Sequence, residues 1–335
     1  VPAPRTEVTE VVTGLALFGF DDVRDGLAAR PKEFRHVPHA TWDRLADLER
    51  GGRMRPEFHA AWANGLAFLR ADEGLRGRTP LVVEWKGGHR APGDDVVPAD
   101  LRVDHVYLVS CKYLSRILIN ASPAHLFDRG LRGGHGVVSG DWYLEVDPDG
   151  YQDLYAAVRS TLPGGLGLPP FAADVTGEHR GVLRDRLRGP WPAGTAAAYR
   201  AFAARVAQRS AERWRSALAT KRDREAMLWR LLRIGSAPYF ILGASADRSL
   251  RLRIATPWDW RQAFDLRRFD VWGDEAGQPL VRWRAVVAAR ETGEELDVAG
   301  HVEVRWSHGR FAQPPEAKVR LDTPHHRVPG YFPLA

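Results

Sequence analysis

Ala99-Asp100-Leu101-Arg102-Val103, then Asp104-His105, then Val106-Tyr107-Leu108-Val109-Ser110-Cys111-Lys112-Tyr113 is the stretch that decides the fold. Both flanks read as strands, and two residues between them are the length of a tight hairpin turn. Within the longer strand Ser110 and Lys112 share a face, because side chains alternate with period two. Asp100 stands on the short strand, twelve residues before Lys112, so pairing of the strands draws an acid and a lysine together at one end of a sheet.

Upstream, Pro80-Leu81-Val82-Val83-Glu84-Trp85-Lys86 reads as a further strand, stopped by Gly87-Gly88 and followed by a polar loop with Pro92, Gly93, Asp94 and Asp95. Two helices are expected before it, over 41–48 and 56–71. Pro56 suits a first helical position and Phe58, Trp62, Leu66 and Leu69 recur at helical spacing, although Gly65 weakens the second helix. Downstream, Ser122-Pro123 starts a short helix through Phe127. Residues 141–147 alternate like a strand that closes on a Pro148-Asp149-Gly150 turn, and 151–161 should be helical. Helix, strand, strand, strand, helix, strand is in outline an α/β sandwich.

Pro163-Gly164-Gly165-Leu166-Gly167-Leu168-Pro169-Pro170 is the clearest composition break. Residues 195–233 read as helix, and Pro238-Tyr239-Phe240-Ile241-Leu242-Gly243 as a short buried strand returning to the first sheet. Apolar β-type runs at 250–254, 281–289 and 301–306 point to a C-terminal antiparallel sheet or small barrel. The expected division is residues 1–165, 166–245 and 246–335.

Of 335 residues 44% are apolar and 27% charged, values of an ordinary globular chain long enough for two packed units. No stretch approaches the ~20 apolar residues of a membrane span. Glu7, Glu10, Asp21 and Asp22 interrupt the first thirty residues, so neither signal peptide nor anchor is expected. The single cysteine, Cys111, excludes an internal disulfide and a cysteine zinc cluster, which makes a reducing, cytoplasmic setting the natural one. Lys and Arg number 20 against 25 Asp and Glu over residues 1–179, a balance of −5, and 28 against 17 over residues 180–335, a balance of +11. An acidic half able to hold a metal and an arginine-rich half able to hold a polyanion is the layout of a nucleic-acid enzyme.

Pro98-Ala99-Asp100, followed across a hairpin by Ser110-Cys111-Lys112 and then a helix, resembles the PD-(D/E)XK, restriction-endonuclease-like nuclease superfamily. The resemblance covers roughly residues 56–147, under a third of the chain. It implies an α/β fold, a mixed sheet flanked by helices, followed here by a helical segment and a β-rich C-terminal part. It implies that Asp100 is a metal ligand and that Lys112 positions or activates water. The position of the family's second acid is Ser110, whose neutral hydroxyl cannot replace a carboxylate at a magnesium site. Glu84 on the preceding strand is the expected substitute, with Glu57, on the helix before the sheet, second. A rival registration takes Glu84-Trp85-Lys86 as the motif with Asp72 as its acid; Asp72 falls near a helix end, which favours Asp100 with Lys112.

The expected function is a DNA endonuclease hydrolysing phosphodiester bonds with Mg²⁺, or Mn²⁺ in its place, for which restriction or phage defence is a natural setting. Arg251, Arg253, Arg261, Arg267, Arg268, Arg282 and Arg284 are the expected contacts to DNA, and Arg205, Arg209 and Arg213 form a basic stripe that fits a further contact or a solvated helix face equally well. Trp258 and Trp260 fit base stacking or core packing. A homodimer is expected because cutting both strands of a duplex asks for two sites. The alternatives are a decayed nuclease core that only binds nucleic acid, and a nuclease of RNA or branched repair DNA. His325-His326 lacks partners at zinc spacing, and Gly133-Gly134-His135-Gly136 is followed by no phosphate-loop lysine.

Overall fold

In a computed structural model, residues 3–87, 99–113, 117–129, 141–244, 248–275 and 277–335 are described. Pro98, the loop with Pro92, Gly93, Asp94 and Asp95, and the Gly133-Gly134-His135-Gly136 segment lie outside them. In chain order the principal elements are α1 (Pro4–Leu15), α2 (Val23–Ala29), β1 (Phe34–Arg35), α3 (His39–Arg50), α4 (Arg55–Arg70), β2 (Val83–Trp85), β3 (Leu101–Val103), β4 (Tyr107–Tyr113) and β5 (Ile117–Ala121). There follow α5 (Trp142–Val146), α6 (Pro148–Ser160), α7 (Gly177–Arg186), α8 (Thr195–Ala217), α9 (Lys221–Leu231), β6 (Tyr239–Ala244), β7 (Ser249–Ile254) and α10 (Pro257–Ala263). The chain closes with β8 (Phe264–Glu275), β9 (Pro279–Ala289), β10 (Glu295–Arg305), β11 (Glu316–Leu321) and β12 (Tyr331–Pro333).

Two units are built from alternating stretches. The first takes Val1–Arg116, Arg233–Ala263 and Pro324–Ala335, the second Ile117–Leu232 and Phe264–Thr323. These borders differ from the consecutive divisions expected at 165 and 245, because strands from distant parts of the chain complete each sheet. The charge split along the chain dissolves with them. Lys and Arg exceed Asp and Glu by 23 to 19 in the first unit and by 25 to 23 in the second, so neither is strongly basic.

The first unit holds a mixed sheet of order β1-β2-β3-β4-β6-β7-β12. β2, β3 and β4 form an antiparallel meander, and β6 returns beside β4 in parallel, Leu108 opposite Tyr239 and Lys112 opposite Gly243. Asp104 and His105 both take positive φ, 50° and 60°, and Val106 N–H closes on Val103 O at 3.0 Å, the marks of a type I′ hairpin. The Asp104 carboxylate fixes that turn by accepting from Leu81 N–H and Val82 N–H. α1 and α4 pack on one face of the sheet, where Val8, Val11, Leu15, Phe68, Val103 and Val109 are buried in one cluster. Gly65 is the reason the helices approach so closely: a Cβ there would run into the Thr13 carbonyl of α1. Its small size serves packing here, although glycine weakens an isolated helix.

The second unit holds an antiparallel sheet of order β5-β11-β10-β9-β8, with α8 packed against β8 and β9. Residues 141–147, expected as a strand, are helix α5 instead, and Pro148-Asp149-Gly150 opens α6 rather than making a turn. Asp141 caps α5 by accepting the Tyr143 N–H at 3.1 Å, and the buried Trp142 donates to Ser210 on α8 at 3.0 Å. So short an apolar run suits either period, and the α8 partner decides between them. Among the described residues no helix is long and apolar enough to cross a membrane.

Candidate active site

α1 carries two acids on its buried side, Glu7 and Glu10, at 0% and 9% exposure. Buried carboxylates need partners. Glu7 has a full set, a two-pronged ion pair from Arg44 at 2.6 and 2.7 Å. Among the described residues no cation pairs with Glu10; its Oε2 accepts one bond, from the Trp85 indole N–H at 2.6 Å. Trp85 closes β2 with its side chain toward α1, which aims the indole at Glu10.

Asp100 lies one residue before β3, its backbone already in the ladder: Lys86 N–H donates to its carbonyl at 3.0 Å and its own N–H donates to Val109 O at 2.8 Å. Its carboxylate folds over the adjacent part of β4, where Oδ2 accepts from Cys111 N–H at 2.6 Å and from the Ser110 hydroxyl at 3.1 Å. Oε1 of Glu10 and Oδ1 of Asp100 accept no hydrogen bond from the described residues.

Burial and then the Asp100 charge push the Glu10 carboxyl up to about 8, against the opposing pull of the Trp85 bond and of Lys112. Glu10, Asp100 and Lys112 therefore share one electrostatic neighbourhood, at the end of the sheet where β2 and β4 finish and β3 begins. A carboxyl so raised holds its proton at neutral pH unless a cation offsets the crowding. The Cys111 thiol, buried and pushed well up chiefly by that burial, is no candidate nucleophile.

The acids expected to replace the one missing at Ser110 stand elsewhere. Glu84 projects opposite to its buried neighbours Val83 and Trp85 and grips Arg102 at 2.5 and 2.9 Å, with His105 at 3.3 Å. The Arg102 bond above all holds its carboxyl below the usual range. Glu57 opens α4 and pairs with Arg5 at 3.2 Å. Neither is among the charges acting on Glu10. Asp72 of the rival registration sits in the turn after α4, where its N–H meets the Ala335 carbonyl at 2.9 Å. Glu10 was legible only as an acid among Val8, Val11 and Val12, an anomaly on an apolar helix face.

No group of three or more His, Cys, Asp or Glu side chains arranged to hold a metal exists among the described residues. Two hard oxygen donors meet the one or two carboxylates that magnesium takes when substrate oxygens and water complete its shell. Two carboxylates are fewer donors than a closed four-ligand zinc site takes.

The expected DNA contacts are divided between the units. In the first, Arg251 bonds Asn64, Arg253 pairs with Asp259, and Arg261 is exposed. In the second, Arg267, Arg268, Arg282 and Arg284 pair with Asp265, Asp270, Asp274 and Asp297 at 3.1, 2.8, 2.5 and 2.7 Å. Trp260 is core, whereas Trp258 is 71% exposed. The α8 stripe is structural: Arg205 and Arg209 hold the buried Asp147, and Arg213 holds Asp128 and Glu145. A groove of about 660 Å³ lies along α8, lined by Asp128, Arg209, Glu212 and Arg213. Asp128 is paired with Arg213, and Arg209 with the buried Asp147, so the groove is a weaker candidate than the carboxylate pair. Compared with family models, curated proteins and solved structures, the chain matches none.

Proposed function

We propose that the chain is a metal-dependent nuclease of the PD-(D/E)XK kind, hydrolysing phosphodiester bonds in DNA, with Glu10 in the place of the absent second acid. The observation that carries this reading is that the charges of Asp100, just before β3, and Lys112, on β4, both act on the buried Glu10 carboxyl. The β2-β3-β4 meander with β6 parallel to β4, crossed by α1, supports it as the arrangement that the motif Asp100, Ser110 and Lys112 implies.

Glu10 and Asp100 would hold the cation. When bound, a divalent ion supplies charge neutralisation at the phosphate and a lowered pKa for attacking water. Cys111 N–H and Ser110 orient Asp100, and Trp85 orients Glu10, so neither carboxylate has to be ordered at the moment of reaction. To hold a cation Glu10 would have to lose its proton to solvent, and Lys112 would offer its ammonium to the negative charge that develops on the phosphate.

Calorimetric titration with Mn²⁺ and a cleavage assay on DNA test the reading together. E10Q and D100N should each abolish cleavage and weaken uptake at least tenfold. Uptake and cleavage untouched by either change would overturn it, and DNA binding without metal uptake would favour a nucleic-acid-binding role.

A further inference from the structure

The antiparallel sheet of the second unit ends, among the described residues, at β8, a strand of 12 residues. The register shows which of its backbone groups look outward. Ala299 turns to the β11 side, where its N–H donates to Thr323 Oγ1 at 2.8 Å and its carbonyl accepts from Asp322 N–H at 2.9 Å. Consecutive residues of an antiparallel ladder address opposite neighbours, so Gly300 turns to β9, Trp283 opposite it turns to β10, and Val271 opposite Trp283 turns away from the sheet. Phe269 and Gly273 do the same. Arg215 Nη1 on α8 donates to Val271 O at 3.0 Å, in agreement with that direction. Among the described residues nothing accepts from the outward N–H groups of Phe269, Val271 and Gly273.

An open edge pairs with another strand unless something blunts it. A bulge between Leu266 and Arg268 confines any partner to the stretch that follows, and no proline interrupts 268–274. Phe269 and Val271 are buried on the α8 side, so Arg268, Asp270, Trp272 and Asp274 share the outer face, where Trp272 is 41% exposed. That face is its own complement. Antiparallel pairing of two copies about a twofold axis at Val271 sets Arg268 of each against Asp274 of the other, and Asp270 against Trp272. An axis at Asp270 would bring two Asp270 carboxylates face to face, and one at Trp272 would oppose Asp270 to Asp274. An axis at Phe269 would run into the bulge, and one at Gly273 would carry Arg268 past the end of the strand.

We propose that β8 is the contact of a homodimer, in which the sheets of two copies run on into one across a twofold axis at Val271. The outward groups of Phe269, Val271 and Gly273 then meet those of Gly273, Val271 and Phe269 in the other copy. The Val271 carbonyl has a second lone pair, so the exposed Arg215 need not leave it. Arg268 and Asp274 pair within the chain with Asp270 and Arg282 and are still part exposed, so the pairs across the axis extend those networks. The matching charges make a second copy the occupant of the edge.

Sedimentation velocity of the full chain over a micromolar range tests this, with the folding of each variant checked by circular dichroism. Wild type should exchange between monomer and dimer, a short strand pair being a small interface. R268D and D274R should each weaken association about tenfold or more, because each sets like charges opposite at both ends of the pairing. W272D, which removes no ion pair, should weaken it likewise by facing Asp270. Positions 268 and 274 lie ~20 Å apart along one strand, so they cannot compensate each other inside one chain. Across the axis they can: the double variant R268D/D274R should regain the dimer, and an equimolar mixture of the two single variants should form a mixed dimer that neither forms alone. Wild type that stays monomeric, single variants that associate as well as wild type, or a mixture no more associated than its components would overturn the interface.

Discussion

The Trp85 indole N–H meets the Glu10 carboxylate at 2.6 Å, joining two residues 75 positions apart. That bond sets the position of an acid that is otherwise surrounded by apolar α1 neighbours and by the charge of Asp100. It turns a helix side chain into a member of the sheet's end.

Glu10 makes stability depend on pH in an unusual direction. Its carboxyl is raised from 4.5 to about 8, so between those values the folded chain holds a proton that the unfolded chain releases, and stability falls as pH rises through the window. E10Q keeps an acceptor for Trp85 and cannot ionise. It should melt close to wild type near pH 4 and progressively above it toward pH 9. A difference in melting temperature that stays flat across that range would show that Glu10 ionises as freely as a surface acid.

Glu84 should behave in the opposite sense. Its carboxyl is held low, first by the Arg102 bond, so its contribution is present above the unfolded value of 4.5 and is lost as pH falls through the folded one. E84Q should lower stability by about 1 kcal/mol at neutral pH, less as the solution is acidified, since Arg102 is half exposed and the pair is partly screened. Mn²⁺ uptake should remain. Chemical denaturation at two pH values and one titration decide it, and loss of uptake would return Glu84 to the metal site.

Lys112 should matter to the chemical step more than to binding. K112A removes one stabiliser of developing charge and should slow cleavage by about 10²–10³-fold with Mn²⁺ affinity retained. Single-turnover kinetics at saturating metal separate the two, and an unchanged rate would take Lys112 out of the reaction.

The arginines of α8 should be felt in stability alone. Asp147 is 1% exposed and receives Arg205 at 2.9 Å and Arg209 at 2.7 Å. D147A removes the buried acid shared by two half-exposed cations, which water can then reach, and should cost about 1.5 kcal/mol. Urea unfolding measures this, and a loss below about 0.5 kcal/mol would show the pair to be no stronger than a surface bridge.

Local chemistry determined much of the first unit. Alternation over 106–113, the two-residue Asp104-His105 link and helical spacing after Pro56 each place an element found in the structure, because each depends on neighbours within a few residues. That Asp100 would stand at the start of one strand and Lys112 near the end of the next was legible for the same reason, one hairpin joining the two. The short apolar run 141–147 was not, since helix and strand are close in local energy there and Ser210, far along the chain, supplies the partner for Trp142.

Which acid the proposed reading sets beside Asp100 could be read only from the tertiary structure. Glu84, Glu57 and Glu10 are equally acidic in the sequence. Glu84 and Glu57 are answered by Arg102 and Arg5, while α1 packing on the sheet carries Glu10 to Trp85 and into the field of Asp100. The charge asymmetry met the same fate, because returning strands thread the basic part of the chain through both units, and most of the expected arginines found an aspartate. A residue's type is written in the chain, but its protonation, its partner and its face of the sheet are set by what folding brings beside it.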